Sequence, residues 1–206
     1  KGWVLGETLI TGIGQGYTQT TPLQLCMMTA QIANGGFAIK PKIIVDSNPI
    51  SYEDAKQSME SGLLFDTDSE ELLDKKLFKN KKNIKIVQEA MFASTNERFG
   101  TSYKSRIDDP KYQFAGKTGT AQVKRISKRE RELDLKLEQI PYKDRDHALY
   151  VAYGPYINPR YALSIIVEHG GSGSRAAAPI AKKLFKLIID RHELRNKQSN
   201  FEAINI

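Results

Sequence analysis

Two runs rich in β-branched and aromatic residues constrain the fold of this chain more than any other feature. They read HALYVAYGPY from His147 and RYALSIIVEHG from Arg160, and turn-forming residues between Gly154 and Pro159 separate them. Runs of this composition with a short turn between them are typical of a β-hairpin. The sequence therefore predicts an antiparallel pair of strands over residues 147–170.

A helix is predicted to begin at Pro22. Thr21 can cap it, proline fits its first turn, and Gln24 completes a capping box with Thr21. Gly35 and Gly36 are expected to end it. The residues predicted by helical spacing to form its buried face are Leu23, Met27, Ala30 and either Ala33 or Asn34.

Charge and proline content predict three less regular segments. FAIKPKII, residues 37–44, predicts a short strand at a sheet edge, because Pro41 has no N–H to donate to a ladder. Residues 53–85 are charged and predict a solvated excursion with one short helix around Ser69 to Leu77. Residues 124–146 are also charged and predict a long loop between two strands.

Two more helices and one strand complete the pattern. NIKIVQEAMFASTN is predicted to end by Gly100, FAGKTGTAQV from Phe114 predicts a strand, and RAAAPIAKKLFKLIIDRHE follows a glycine-rich break. The predicted inward residues are Ile84, Val87 and Met91 in the first of these helices, and Ile180, Leu184, Leu187 and Ile188 in the second. The order of elements predicts an α+β fold, with an antiparallel sheet flanked by helices.

Composition excludes a disordered chain, because 40% of the residues are hydrophobic and 27% are charged. The net charge of +7 would suit an anionic partner if it were concentrated, but the sequence scatters it. A basic nucleic-acid-binding module stays open as an alternative, although alternation along the hairpin favours packing for its tyrosines. The single cysteine, Cys26, excludes an intramolecular disulfide, and its apolar neighbours predict a buried, inert thiol.

The run Lys117-Thr118-Gly119-Thr120 could belong to a phosphate-binding loop, to an ordinary strand end or to an acyl-serine enzyme. A phosphate-binding loop is excluded, because its first glycine would have to stand where Lys111 does and no helix is predicted to follow. GIGQGY, nearer the N-terminus, lacks the third glycine of a dinucleotide-binding fingerprint, since Tyr17 stands in its place.

The third interpretation is the Lys-Thr-Gly strand motif of the acyl-serine enzymes. At a strand edge, the backbone N–H of Thr120 can donate to an oxyanion. The Lys117 ammonium and the hydroxyls of Thr118 and Thr120 can bind a terminal carboxylate. Gly119 lets a substrate backbone approach without meeting a side chain.

With this motif the chain closely resembles the penicillin-binding protein 2 family of class B peptidoglycan transpeptidases. The resemblance rests on GETLITGIGQGYTQTTPLQL with IANGG, on AGKTGTAQV, on RDHALYVAYGP and on VEHGGSGSRAAAPIAKKLF, in that order. VKRISKRERELDLKLEQIPYKDRDHA is most similar to alphaproteobacterial members, and residues 53–85 depart from the family's pattern.

The resemblance implies the serine β-lactamase and penicillin-binding transpeptidase fold. It also implies a D,D-transpeptidase that cross-links stem peptides ending in D-Ala-D-Ala through an acyl-serine intermediate in cell-wall elongation. Lys117, Thr118, Gly119 and Thr120 would form its substrate-binding strand, with Lys117 and the backbone N–H of Thr120 also in catalytic roles. β-Lactams would acylate the same serine, and no metal, organic cofactor or nucleic acid is implied. A β-lactamase or D,D-carboxypeptidase of the same fold is the alternative, differing only in the acyl acceptor.

The family's nucleophile lies in Ser-x-x-Lys, and no serine of this sequence has a lysine three positions on. We therefore expect residues 1–206 to be the C-terminal portion of a single transpeptidase domain, inactive alone, with the serine and a membrane anchor upstream. Ser94-Thr95-Asn96 matches the family's Ser-x-Asn but aligns with a helix, so we interpret it as chance. The resemblance further implies the periplasmic face of the inner membrane, a membrane glycosyltransferase partner, and missing strands beside residues 160–169.

Overall fold

A computed structural model describes the backbone of residues 2–41, 76–124 and 135–204, and the side chains as far as residue 195. Within these ranges the helices are α1 (Leu5–Gly12), α2 (Pro22–Ala33), α3 (Lys81–Asn96) and α4 (Ala178–Ile204), and the strands are β1 (Ala115–Ala121), β2 (His147–Gly154) and β3 (Tyr161–Val167). Single turns of 3-10 helix span Tyr103–Ser105, Leu137–Gln139 and Tyr142–Asp144, and a π-helical turn, Gly173–Ala177, leads into α4. The predictions for residues 42–75 and 125–134 lie outside the described residues.

The three strands form one antiparallel sheet in the order β1-β2-β3. The register of β1 and β2 runs from Ala115 opposite Tyr153 to Ala121 opposite His147, and β3 pairs with the other side of β2. The predicted hairpin and the α+β fold class are therefore confirmed. No described strand pairs with the outer edge of β1 or of β3.

Helix α4 covers one face of the sheet. Tyr150 and Phe114 from the sheet side and Phe185 from α4 are fully buried there, with the rings of Phe114 and Phe185 stacked 4.8 Å apart. Three buried alanines of the π-helical turn and α4, Ala177, Ala178 and Ala181, lie in the same core. Their small side chains let the helix backbone approach the sheet closely.

Helices α2 and α3 cover the opposite face. Met91 of α3 packs there with Ala115 and Tyr153. Cys26 of α2 donates its thiol to the carbonyl of Ala162 on β3 over 3.4 Å, and burial raises the pKa of that thiol. The predicted capping box is confirmed, because Thr21 and Gln24 exchange side-chain to backbone bonds of 3.2 and 2.8 Å. None of the described helices combines the length and the apolar composition needed to cross a bilayer.

The predicted buried face of α4 is wrong. Ile180 and Leu187 are 40% and 65% exposed, and Leu184 and Ile188 are only half-buried. The helix instead turns its alanines, with Phe185 and Ile189, toward the sheet. Close approach of helix to sheet favours small residues at the contact, so the largest aliphatic side chains do not mark the inner face here.

The predicted faces of α2 and α3 are each partly wrong for a related reason. Leu23 is 53% exposed while Thr29 is buried, and Val87 is 42% exposed while Thr95 is buried. A threonine can enter a helix core because its hydroxyl can bond the carbonyl four residues earlier, as Thr29 does with Leu25 over 2.7 Å. The strand predicted from residue 37 is also wrong within the described residues, which show one isolated bridge, between Phe37 and Lys76.

Candidate active site

The outer edge of β1 is the structural basis of the candidate site. In an antiparallel pair, alternate residues direct both N–H and C=O to the partner strand, and the residues between them direct theirs away. The carbonyls of Phe114, Gly116 and Thr118 face away from β2. Side chains of α3 bond the first two, and the side chain of Lys117 bonds the third. Thr120 continues this alternation, so its N–H and C=O also face outward.

Side chains cover this edge only as far as Thr118. The amide of Asn96 donates to the carbonyl of Phe114 over 2.9 Å, and the hydroxyl of Thr95 donates to that of Gly116 over 3.4 Å. The ammonium of Lys117 reaches the carbonyl of Thr118 over 2.8 Å. Among the described residues no side chain continues this series to Thr120, which is the first position where an extended ligand can bond the strand.

A buried hydroxyl network fixes β1 against α3. The phenol of Tyr150 on β2 lies 2.9 Å from the hydroxyl of Thr95 and 3.1 Å from that of Ser102. Burial raises the pKa of Tyr150, although its two hydrogen bonds act in the opposite direction, so the phenol stays protonated at neutral pH. A β-carbon on Gly116 would overlap this phenol, so the close packing requires glycine.

A second, more exposed set of polar groups surrounds Thr118. Its hydroxyl lies 3.1 Å from the hydroxyl of Thr101, which in turn lies 3.3 Å from that of Ser94. The ammonium of Lys117 is 3.5 Å from the Thr118 hydroxyl. A cation and a hydroxyl this close together can bind one carboxylate between them.

The glycine-rich segment before α4 lies against the middle of β1. A β-carbon on Gly173 would be 2.8 Å from the carbonyl oxygen of Gly119 and would overlap that of Leu149. Only glycine allows the two backbones to approach so closely. Beside it the hydroxyls of Ser172 and Ser174 lie 3.0 Å apart. The segment therefore forms a wall of the site next to Gly119.

A cavity of about 690 Å³ opens at the far end of β1, between the sheet and the chain that joins α1 to α2. Thr120 and His147 both line it. The Nδ1 atom of His147 accepts the backbone N–H of His169 over 2.9 Å, and the Nδ1 atom of His169 lies 2.9 Å from the carbonyl of Arg145. These bonds tie the start of the glycine-rich segment to the start of β2.

The structure brings the predicted site residues together, and it shows further residues at the site that were not predicted. Lys117 and Thr118 are in contact, Gly119 lies against Gly173, and the backbone of Thr120 faces outward. The hydroxyl network of Thr95, Ser102 and Tyr150 was not predicted. The available sequence indication was Ser94-Thr95-Asn96, a run of small polar residues at the end of an amphipathic helix. The side chains of Thr95 and Asn96 bond the edge of β1.

Comparisons with known proteins agree with this arrangement. Residues 1–186 match the family described as penicillin binding protein transpeptidase domain. Peptidoglycan D,D-transpeptidase MrdA of Salmonella typhimurium (strain SL1344) is 32% identical over 194 residues, which are 92% of this chain and 28% of that protein. The structure of Pseudomonas aeruginosa PBP2 in complex with WCK 5153 matches with a TM-score of 0.65 and 34% identity, over 91% of this chain and 34% of that one.

Helicobacter pylori PBP2, solved in complex with MreC, matches with a TM-score of 0.63 and 32% identity, over 91% of this chain and 29% of that one. The chain therefore spans about a third or less of the length of these relatives. The family match covers the whole described sheet, helices α1 to α3 and the first turns of α4. The chain belongs to the penicillin-binding protein transpeptidase domain family, and PBP2 proteins are among its relatives.

Proposed function

We propose that the protein is a peptidoglycan D,D-transpeptidase in which residues 1–206, the C-terminal portion of its transpeptidase domain, supply the strand side of the acylation site. The observation that carries this proposal is the edge of β1 at Thr120, which no described residue covers and which directly follows the contact between Lys117 and Thr118. An extended peptide can add to such an edge through main-chain hydrogen bonds. Its terminal carboxylate then lies within reach of a cation and a hydroxyl.

In this proposal the chain binds and polarises the substrate. The scissile carbonyl oxygen accepts the N–H of Thr120, and the negative charge that develops on that oxygen in the tetrahedral intermediate strengthens the bond. Loss of one such donor lowers transition-state stabilisation by about 3 kcal/mol. Gly119 and Gly173 keep side chains out of the path of the substrate backbone.

The bond changes involve a serine that lies outside residues 1–206. Its oxygen attacks the carbonyl carbon of the D-Ala-D-Ala bond, the C–N bond breaks, and the terminal D-Ala leaves with a proton on its amine. An amine of a neighbouring stem peptide then attacks the acyl-serine, which forms the cross-link and frees the serine. β-Lactams acylate the same serine but leave it slowly.

The names of the relatives support this proposal. The Salmonella relative is named a peptidoglycan D,D-transpeptidase, and the Helicobacter relative was solved in complex with MreC. By likeness, the protein acts at the periplasmic face of the inner membrane, held by an anchor outside this chain, beside a glycosyltransferase of the elongation machinery.

The test is the intact mass of the full-length protein after incubation with a penicillin, followed by analysis of products formed from stem peptides. We expect a single penicilloyl adduct and a cross-linked peptide dimer. Lys117→Gln should slow adduct formation, whereas Lys82→Gln, which removes the same charge from the exposed first turn of α3, should not.

Each of the other possible results would indicate a different function or a different location of the nucleophile. A free tetrapeptide acid without dimer would indicate a D,D-carboxypeptidase, and rapid release of hydrolysed penicillin would indicate a β-lactamase. An adduct on the 206-residue chain alone would place the nucleophile within it and contradict the division of the site proposed above. Absence of an adduct on the full-length protein would overturn the acyl-serine function altogether.

A further inference from the structure

Three hydrogen bonds hold the glycine-rich segment against the start of β2. The backbone N–H of His169 donates to Nδ1 of His147 over 2.9 Å, and Nδ1 of His169 donates to the carbonyl of Arg145 over 2.9 Å. The backbone N–H of Gly171 donates to the carbonyl of Asp146 over 2.8 Å. Two stretches that are far apart in the sequence are thus joined beside the candidate active site.

The conformation of His169 depends on these bonds. Its φ angle is +55°, in the left-handed region that residues other than glycine seldom occupy. Such a backbone persists where surrounding contacts fix it, and here both the N–H and the ring of His169 are bonded. The chain then turns through Gly171 and brings Gly173 against Gly119 of β1. His169 therefore sets where this wall of the site lies.

The bond to His147 requires a neutral ring. A neutral imidazole has one acceptor nitrogen and one N–H, whereas both nitrogens of a protonated ring are donors. Since Nδ1 of His147 accepts, the proton of the neutral ring is on Nε2, and a second proton would go to Nδ1. It would then face the N–H of His169, donor against donor. The ring of His169 differs, because its Nδ1 donates to a carbonyl in either charge state.

The surroundings of His147 do not compensate for loss of this bond. The charged and titratable residues around its ring, in space or next in the chain, are Tyr142, Arg145, Asp146, Glu168 and His169. The side chains of Arg145 and Asp146 are each bonded to a backbone group elsewhere. Besides His147, no acid or base of the described residues lines the cavity on its other side. Among those residues no carboxylate forms an ion pair with the ring, so protonation gains no such contact.

We infer that neutral His147 is a positioning residue for acylation, and that its protonation releases the glycine-rich segment and slows the reaction. The inference rests on the proposed function and adds regulation by pH to the same site. In the proposed binding mode the peptide runs past Thr120 toward Ala121, and His147 stands opposite Ala121 in the sheet register. Once the bond is lost, Gly173 is free to leave Gly119, and the substrate backbone loses a wall beside β1.

The experiment measures the rate of penicillin acylation of the full-length protein from about pH 8 to about pH 5, the range over which histidines change charge. The decisive variant is His147→Asn, whose side-chain oxygen can replace Nδ1 as the acceptor and does not titrate in this range. Its rate should be close to that of wild type at the alkaline end. At the acid end it should exceed wild type by up to about tenfold, which is the effect of one buried hydrogen bond on an equilibrium. His192→Asn, on α4 outside the site, is the matched control and should follow the wild-type profile.

A second measurement follows the segment itself by hydrogen exchange, with mass spectrometry of peptides that cover residues 167–176. Wild type and His147→Asn are compared at the same pH, so that the intrinsic exchange rates of their shared sequence cancel. We expect equal protection of the segment at the alkaline end. At the acid end it should exchange faster in wild type, because only wild type loses the bond to His169.

Equal exchange in wild type and His147→Asn at the acid end would show that the bond does not hold the segment, and would overturn the inference. So would faster exchange in wild type together with identical acylation profiles, because the segment would then move without affecting the reaction. A profile altered as much by His192→Asn would contradict a specific role of His147. Absence of an adduct at every pH would overturn the proposed function and this role with it. The exchange data would still report on the bond, so the two failures are distinguishable.

Discussion

The phenol oxygen of Tyr150 occupies the space that a β-carbon on residue 116 would need. Thr95 and Ser102 hold this oxygen at 2.9 and 3.1 Å, so it cannot move aside without breaking buried hydrogen bonds. The position of β1 relative to α3 therefore depends on a glycine in the strand. The same relationship sets where the outer edge of β1 lies.

Gly116→Ala should lower the free energy of unfolding by about 1 to 3 kcal/mol, because the added methyl group overpacks a closed site. Urea unfolding of the chain measures the change. Gly6→Ala is the matched control, since a β-carbon there meets nothing within 4 Å and Gly6 lies in helix α1. It should leave stability unchanged or raise it by up to about 1 kcal/mol. Equal losses in the two variants would contradict the packing argument.

The Thr95 to Tyr150 hydrogen bond should show as a coupling energy. Thr95→Val and Tyr150→Phe should each lower stability by about 1 kcal/mol, because each leaves a buried partner less well bonded. The double variant should lose less than the sum by about 0.5 to 1 kcal/mol, as measured by urea unfolding. Thr8→Val, which removes an exposed hydroxyl bonded to Trp3, should instead add independently to Tyr150→Phe. Additivity in both cycles would mean that the buried bond contributes nothing specific.

Thr120 should contribute to acylation through both its backbone and its side chain. Thr120→Pro removes the N–H and should slow acylation of the full-length protein by penicillin about 10² to 10³-fold. Proline is tolerated at an unpaired strand edge, so the melting temperature should change little. Thr120→Val should also slow acylation by removing the hydroxyl, and Thr120→Ser should restore it. Wild-type acylation rates for the proline variant would remove the oxyanion role.

The contact between Arg160 and His192 should make stability depend on pH. Burial, and then the charges of Arg160 and Arg195, lower the pKa of His192 below its ordinary 6.5, while Glu193 raises it. Arg160 donates to Nε2 of His192 over 2.6 Å, which requires the neutral ring. Because the unfolded chain takes up this proton at higher pH than the folded chain, stability should fall as pH drops below 6.5 until the folded ring is also protonated.

NMR titration of the His192 ring measures this directly. Its midpoint should lie below 6.5 in the wild type and move upward in Arg160→Gln, because one repelling cation is gone. Lys82→Gln, on α3 and not among the groups that shift this pKa, should leave the midpoint where it is. A midpoint unaffected by Arg160→Gln would show that the cation does not act on the ring.

Secondary structure was predictable where local chemistry decides it. The cap of α2 at Thr21 and the β-branched runs of β2 and β3 gave helix and strands close to their observed bounds. The buried face of each helix was less predictable, because it depends on how closely the helix approaches the sheet, which the sequence does not show. Phe185 and Ile189 were the large residues of the buried α4 set, and the alanines that complete it gave no contrast in size from which to choose a side.

The strand that carries the site was predictable, but the residues of other elements that hold it in place were not. Lys117 to Thr120 was recognisable because its residue types match the needs of a carboxylate and an oxyanion. The support from Thr95 and Ser102 was not, because each is a common small polar residue whose importance comes from a contact with Tyr150, 55 and 48 positions away. Long-range hydrogen bonds between small side chains leave no periodic pattern in a sequence.

The buried hydroxyl network also bears on inherited variation. In the proposed function Thr95, Ser102 and Tyr150 govern the position of the acylating edge from behind β1, where all three are buried. In a bacterial population exposed to β-lactams, mutations that shift this edge would be selected at codons that a map of drug contacts leaves out. Genotype-based surveillance of resistance in this protein would therefore need to count substitutions behind the strand as well as on it.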